Sequence, residues 1–241
     1  MAIHPILRSA LPLLLAIAAG APRLQAQAPL DEGTFEVSVD GRPAGTEEFS
    51  IRQSGSGSGA ETIATGRVRL RLPDGALDLT PRLRGSGLGA HPVSYQVEVG
   101  GSAPQRIVGR VGEGRFSARI VTTTGEQLRE YVASSGAVVL EDGVAHHYFF
   151  LGQRLRDGEV PVLIPRENRQ VVARVQNRGE ERVQIGGQGV DAYRLLVQLQ
   201  PGEERHVWLD ALNRVLRVEI CRLSGGRWVT TYVAVRTAAP S

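Results

Sequence analysis

The stretch VVLEDGVAHHYFFLGQRL (138–155) gathers the side chains of this chain best suited to chemistry: Asp142, His146 and His147 beside three aromatics. A carboxylate and two imidazoles suit either metal ligation or general base catalysis. Spacing decides against the first. Val144, Tyr148, Leu151 and Leu155 fall at i, i+4, i+7 and i+11, which is one face of a helix. Adjacent helical residues point about 100° apart, so His146 and His147 cannot both reach one ion. Helical zinc pairs use i, i+3 or i, i+4, as in HExxH, and neither spacing occurs here. The expectation is a short helix over 143–156 with Asp142 as its N-cap and Arg154 and Arg156 near its C-terminus, where the helix dipole favours cations.

The chain lacks the other minimal geometries of catalysis. It has no GxSxG elbow, no P-loop and no dinucleotide fingerprint. Glu47–Glu48 and Glu203–Glu204 are expected in solvated polar turns rather than as a facing catalytic pair. Cys221 is the one cysteine and sits in VLRVEICRL, where a small packed strand residue is the expectation. With one thiol there is no internal disulfide, so the core alone must support folding. No cofactor or metal is expected.

The elements that must position these residues read as strands. Alternation with period two runs through FEVSV (35–39), RVRLRL (67–72), VSYQVEV (93–99), RFSARIV (115–121) and YRLLVQL (193–199). In RVRLRL the residues Val68, Leu70 and Leu72 share one face, and Arg67, Arg69 and Arg71 share the other. That arginine stripe suits the charged face of an edge strand, which also blocks edge pairing. DGRPAG (40–45), PDG (73–75), GG (100–101), GEG (112–114) and GG (186–187) supply hairpin turns. SGSGSG (54–59) lies inside the run of strands and reads as a hairpin tip. WLDALNRVLRVEI (208–220) reads as strand, polar turn around Asp210–Arg214, then strand. The expected fold is all-β: about ten strands in an antiparallel meander that forms a curved half-barrel or a barrel, plus the one helix.

At the N-terminus, Arg8 precedes the apolar run LPLLLAIAAGA (11–21), too short to span a bilayer, and Ala26 and Ala28 make an A-x-A cleavage pattern. Residues 1–28 are read as a signal peptide and 29–241 as a single β-rich domain, exported to a periplasm or secreted, with no membrane span once the leader is removed. Removing 28 residues from 241 leaves 213. All 28 basic residues are Arg, two of them in the leader, so the mature balance is 26 Arg against 25 acids. Cations and acids alternate along the chain, which argues against the basic face that a nucleic-acid partner needs.

FEVSVDGRPAGTEEF (35–49), with Gly45 followed by Thr-Glu-Glu-Phe, and HVWLDALNRVLRVE (206–219), together with PVLIPRENRQ (161–170), give the chain a family likeness. It resembles uncharacterised exported bacterial β-proteins classed as domains of unknown function. These open on a Gly-x-Glu-x-Phe strand and end on a Val-Trp-x-Asp hairpin leading to an Arg-x-x-x-Val-Glu strand. The resemblance implies a curved, barrel-like sheet, loosely similar to lipoprotein-carrier half-barrels that cradle acyl chains, and carries no catalytic residues. The function expected is non-enzymatic: an apolar or amphipathic, lipid-like ligand or an envelope partner held in the concave face, with Tyr148, Phe149 and Phe150 lining it. Two alternatives stand beside it, an envelope hydrolase using His146 or His147 with a carboxylate, and a structural or assembly module.

Overall fold

A computed structural model describes residues 28–134, 136–154 and 157–240. The leader reading falls on 1–27, outside the described residues, except for Ala28, which opens the first strand. The first half is a meander of eight strands: β1 (Ala28–Val39), β2 (Arg42–Ser54), β3 (Glu61–Leu72), β4 (Gly75–Ser86), β5 (His91–Gly101), β6 (Gln105–Gly112), β7 (Arg115–Thr122) and β8 (Gly125–Val132). After a two-residue strand β9 (Val138–Val139) and the helix α1 (Tyr148–Gly152), a second meander follows. It runs through β10 (Gly158–Ile164), β11 (Arg169–Ile185), β12 (Gln188–Gln200), β13 (Glu203–Leu209), β14 (Val215–Ser224) and β15 (Arg227–Arg236). All fifteen strands form one sheet, ordered β8-β7-β6-β5-β4-β3-β2-β1-β15-β14-β13-β12-β11-β10-β9. Every neighbour pair is antiparallel except β9 with β10. The first strand and the last pair with each other, Phe35 opposite Arg236 and Val37 opposite Ala234, and so fuse the two meanders.

The period-two reading sets the register. On β7, Phe116, Ala118 and Ile120 are buried while their neighbours face water, and on β3 the pattern is the same for Val68 and Leu70. β3 is not an edge strand. It lies between β2 and β4, and its arginines sit on an exposed outer face where Arg69 approaches Glu48 and Arg71 approaches Asp78. Gly55–Gly59 forms the β2–β3 hairpin tip as expected, around a 3-10 turn at Gly57–Gly59. The strand count exceeds the expected ten because several hairpins with little apolar content, such as β8, also pair.

The sheet curls until its ends meet, although no backbone ladder closes it among the described residues. The Gln170 side chain instead bridges the β8 edge: its Nε2 donates to Val132 O at 2.7 Å, and its Oε1 accepts from Val132 N at 3.0 Å. Tyr131 Oη donates to Asn168 Oδ1 at 3.0 Å beside it. One primary amide thus replaces a ladder pair, satisfying an edge that would otherwise be open.

The inner face is a single apolar cluster drawn from both meanders and from the 138–151 segment. A small second cluster, Ile185, Ala192, Trp208 and Leu216, lies apart from it under the β11–β12 hairpin. No helix among the described residues is long and apolar enough to cross a membrane.

Candidate functional site

The 138–153 segment fills the interior of the curve. Val144, Ala145, His146, His147, Phe150 and Leu151 are each no more than 1% exposed. Its helix is shorter than the expected 143–156. A 3-10 turn at Ala145–His147 leads into the five-residue α1, and residues 155 and 156 lie outside the described residues. The delay has a backbone cause. Gly143 has φ +88°, and Val144 is extended at φ −118°, so the chain turns helical only at Ala145.

Asp142 does not cap that turn, as the spacing had suggested. The cap is Glu47, from β2. Its Oε2 accepts from Ala145 N at 2.6 Å, and its Oε1 accepts from His146 N at 3.0 Å and lies 2.5 Å from His146 Nδ1. A carboxylate already accepting two amides favours the tautomer that carries its proton on Nδ1. Phe49, two residues along β2, stacks on the same imidazole at 5.5 Å between ring centroids. Gly66 on β3 makes the room, since a Cβ there would come within 2.7 Å of His146 Cε1.

The expectation that Glu47 and Glu203 sit in solvated turns is therefore overturned. Both are strand residues, 0% and 2% exposed, while Glu48 faces water. The signal was in the phase. Glu47 is in step with Phe49 and Ile51, and Glu203 and Arg205 are in step with Val207 and Leu209, so the inward face carries these charges.

His146 and His147 do come together, with rings 4.8 Å apart and edge to face. His147 meets Tyr95 and Phe150, and neither of its ring nitrogens has a partner. Burial, then the neighbouring His146, holds its pKa well below the usual imidazole value, so it packs as a neutral ring. His146 Nε2 is likewise unpartnered. The hydrolase alternative predicted an imidazole beside an acid in an open polar pocket. The pair is present, but it is sealed in the core with no hydroxyl or thiol bonded to Nε2. Among the described residues no set of three or more His, Cys, Asp or Glu side chains is arranged to hold a metal ion.

A second polar system runs from this core to one end of the curved sheet. Glu141 accepts from Tyr95 Oη at 2.9 Å and from Arg166 Nε at 2.6 Å, and Arg166 Nη2 donates to Asp142 O. Burial pushes the Glu141 carboxyl up to about 7, against the pull of Arg166 and Tyr95. Asp142 pairs with Arg205 Nη1 at 2.7 Å. Burial, the largest single influence, raises its carboxyl, but Arg205, a hydrogen bond from Glu167 and the charge of Arg166 together outweigh it, and the net shift is downward. Arg205, 1% exposed, also donates to Tyr148 Oη at 2.9 Å and, through Nε and Nη2, to Glu203 Oε1. Glu203 Oε2 accepts from Arg222, whose side chain is 57% exposed.

These groups border a cavity of about 290 Å³ at the end where β1 and β3 finish and β15 begins. Its apolar wall is Leu70, Leu72, Leu77 and Ile220, and its polar rim includes Asp142, Arg166 and Arg222. Tyr232 lines it too, with a buried hydroxyl that has no partner. A larger cavity of about 530 Å³, flanked by Arg42 and Arg71, adjoins it through Val39, Asp40 and Leu72. The opposite mouth holds a third cavity of about 270 Å³ between Leu30, Leu88, Phe149 and Leu212. Of the aromatics expected to line a ligand, Phe149 reaches that far mouth. Tyr148 is buried against Arg205, and Phe150 is buried against His147 and Phe149.

No family model and no curated protein matches this chain. The fold has a solved counterpart: the crystal structure of a beta-barrel-like protein of the domain of unknown function DUF1849 from Brucella abortus superposes with a TM-score of 0.53 over 86% of this chain and 95% of that one. At 9% identity the likeness is one of fold alone, and the chain is an all-β, barrel-like protein similar in architecture to that domain.

Proposed function

We propose that this is an exported, non-enzymatic binding protein that takes up an apolar or amphipathic ligand at the Arg166–Arg222 mouth of its curved sheet. The observation that carries the reading is the cavity of about 290 Å³ walled by Leu70, Leu72, Leu77 and Ile220 and rimmed by Asp142, Arg166 and Arg222. Small-molecule sites combine largely apolar walls with a few fixed polar groups in roughly 300–1,000 Å³. This cavity and its neighbour together reach that range. The interior itself is occupied by the 138–153 segment, so the ligand sits at the mouth and not along the whole concave face. The buried network beneath then acts as a rigid floor. Glu47 fixes the segment to β2, and Arg205 fixes Asp142 and Tyr148 to β13.

The test is fluorescence titration of the full mature chain with the neutral probe N-phenyl-1-naphthylamine, alongside native mass spectrometry of protein purified from its own cells. A blue-shifted, saturable signal that Leu77→Trp abolishes by filling the cavity is the expected result. An unchanged probe spectrum together with ligand-free protein would overturn the proposal.

A further inference from the structure

The geometry points to a ligand with a single negatively charged headgroup and an unbranched aliphatic tail, the head held by Arg166 and Arg222 and the tail laid on Leu70, Leu77 and Ile220. This rests on the mouth-binding reading above and names its ligand class. Four arginines, Arg42, Arg71, Arg166 and Arg222, line the two adjoining cavities against two aspartates, Asp40 and Asp142. Asp142 is already paired with Arg205, and Arg71 stands 3.5 Å from Asp78. Arg166 spends Nε on Glu141 and Nη2 on Asp142 O, and among the described residues its Nη1 has no acceptor. Among the described residues Arg222 engages only Nε, at 3.3 Å from Glu203, and keeps both terminal nitrogens. Two partly committed guanidiniums beside an apolar wall suit a carboxylate or a phosphate monoester, which accept paired N–H donors.

The arrangement also sets a proton balance. Glu141 is faced by Tyr95 from β5, by Arg166 from the turn after β10, and by its neighbour Asp142. When a ligand anion engages Arg166, the buried negative charge on Glu141 loses part of its compensation. The carboxyl already sits near 7, so it takes up a proton as the anion binds. Binding therefore tightens as pH falls from 8 to 6.

Calorimetric titration of the mature chain with decanoate, decyl phosphate, 1-decanol and inorganic phosphate tests this. Decanoate and decyl phosphate are expected to bind at least about tenfold tighter than decanol, the discrimination of one charge-assisted hydrogen bond. Inorganic phosphate is expected to bind weakly, because it lacks a tail. Arg222→Gln, at an exposed position, is expected to cut the preference for the anions over decanol severalfold with Arg166 still in place, and Glu141→Gln to flatten the pH dependence of decanoate binding. Equal binding of decanol and decanoate, equal loss of all ligands in Arg222→Gln, or phosphate binding as tightly as decyl phosphate would each overturn the headgroup assignment. In the first two cases the mouth-binding reading survives. Failure of all four ligands and of the neutral probe overturns both.

Discussion

Replacing Glu47 by Gln tests whether a single carboxylate fastens the interior segment to the sheet. The side chain is fully buried and accepts three hydrogen bonds: from Ala145 N at 2.6 Å, His146 N at 3.0 Å and His146 Nδ1 at 2.5 Å. Gln has nearly the same shape but offers one acceptor oxygen and puts an NH2 where the other was. With the oxygen turned to His146, the NH2 faces the Ala145 amide, a donor against a donor. With the opposite rotamer, the NH2 faces the His146 backbone amide, again a donor against a donor, and the ring must shift its proton to Nε2 to accept at Nδ1. Hydrogen bonds to a charged group contribute about 1.5–3 kcal/mol each, and a buried N–H left unpaired costs about 1–3 kcal/mol. The less damaging rotamer therefore costs about 2–4 kcal/mol. Glu47→Ala, which abandons all three bonds, costs about 4 kcal/mol or more. Urea unfolding followed by circular dichroism measures the difference, provided both variants keep the wild-type slope. Hydrogen exchange adds a local readout, because the Ala145 and His146 amides lose protection in Glu47→Ala. A Glu47→Gln variant within about 0.5 kcal/mol of wild type, or undiminished protection at those two amides in Glu47→Ala, would mean that the carboxylate does not fasten the segment.

Three further outcomes follow from the same geometry. Gly66→Ala pushes a methyl into His146 and is expected to cost about 1–3 kcal/mol in the same urea assay, as overpacking does. Gln170→Ala removes the amide that bridges Val132 and is expected to accelerate exchange along β8 while lowering global stability by about 1 kcal/mol, readable by exchange mass spectrometry. The Glu141 carboxyl, raised to about 7 in the folded chain from 4.5, favours the protonated folded state. Its contribution is complete below 4.5 and is lost as pH rises through 7. His147, held low, works the other way and destabilises as pH falls below its ordinary 6.5. Between pH 4.5 and 7.5, Glu141→Gln should therefore gain on wild type by about 3 kcal/mol, measured as the difference of the two stability curves.

The strand phases made most of this fold legible. RFSARIV buries Phe116, Ala118 and Ile120, and HVWLDALNRVLRVE folds as the expected hairpin, with Asp210 Oδ1 accepting from Leu212 N and Arg214 N to shape its turn. Cys221 is buried in β14 as a packed strand residue. The helix is shorter than apolar spacing at 144, 148, 151 and 155 predicts, because that spacing carries no information about Gly143, whose positive φ delays the first turn. Asp142 leaves the expected cap position for a related reason. A local cap competes with tertiary partners, and Arg205, 63 residues away, takes its carboxylate. The buried charges were legible in principle, since Glu47, Glu203 and Arg205 share the inward phase with apolar neighbours. What the chain order could not reveal is that those phases meet one interior segment, because that depends on how far the sheet curls. The cavities escaped for the same reason: Leu70, Leu77, Arg166, Ile220 and Tyr232 come from five separate elements.

A methyl NMR titration of residues 29–241 with decanoate reports where a ligand sits without assuming its affinity. Binding at the Arg166–Arg222 mouth gives saturable shifts for Leu70, Leu72, Leu77 and Ile220, with the methyls of Leu30, Leu88 and Leu212 unmoved. Shifts confined to the Leu88–Leu212 mouth, or none at millimolar decanoate, would contradict it.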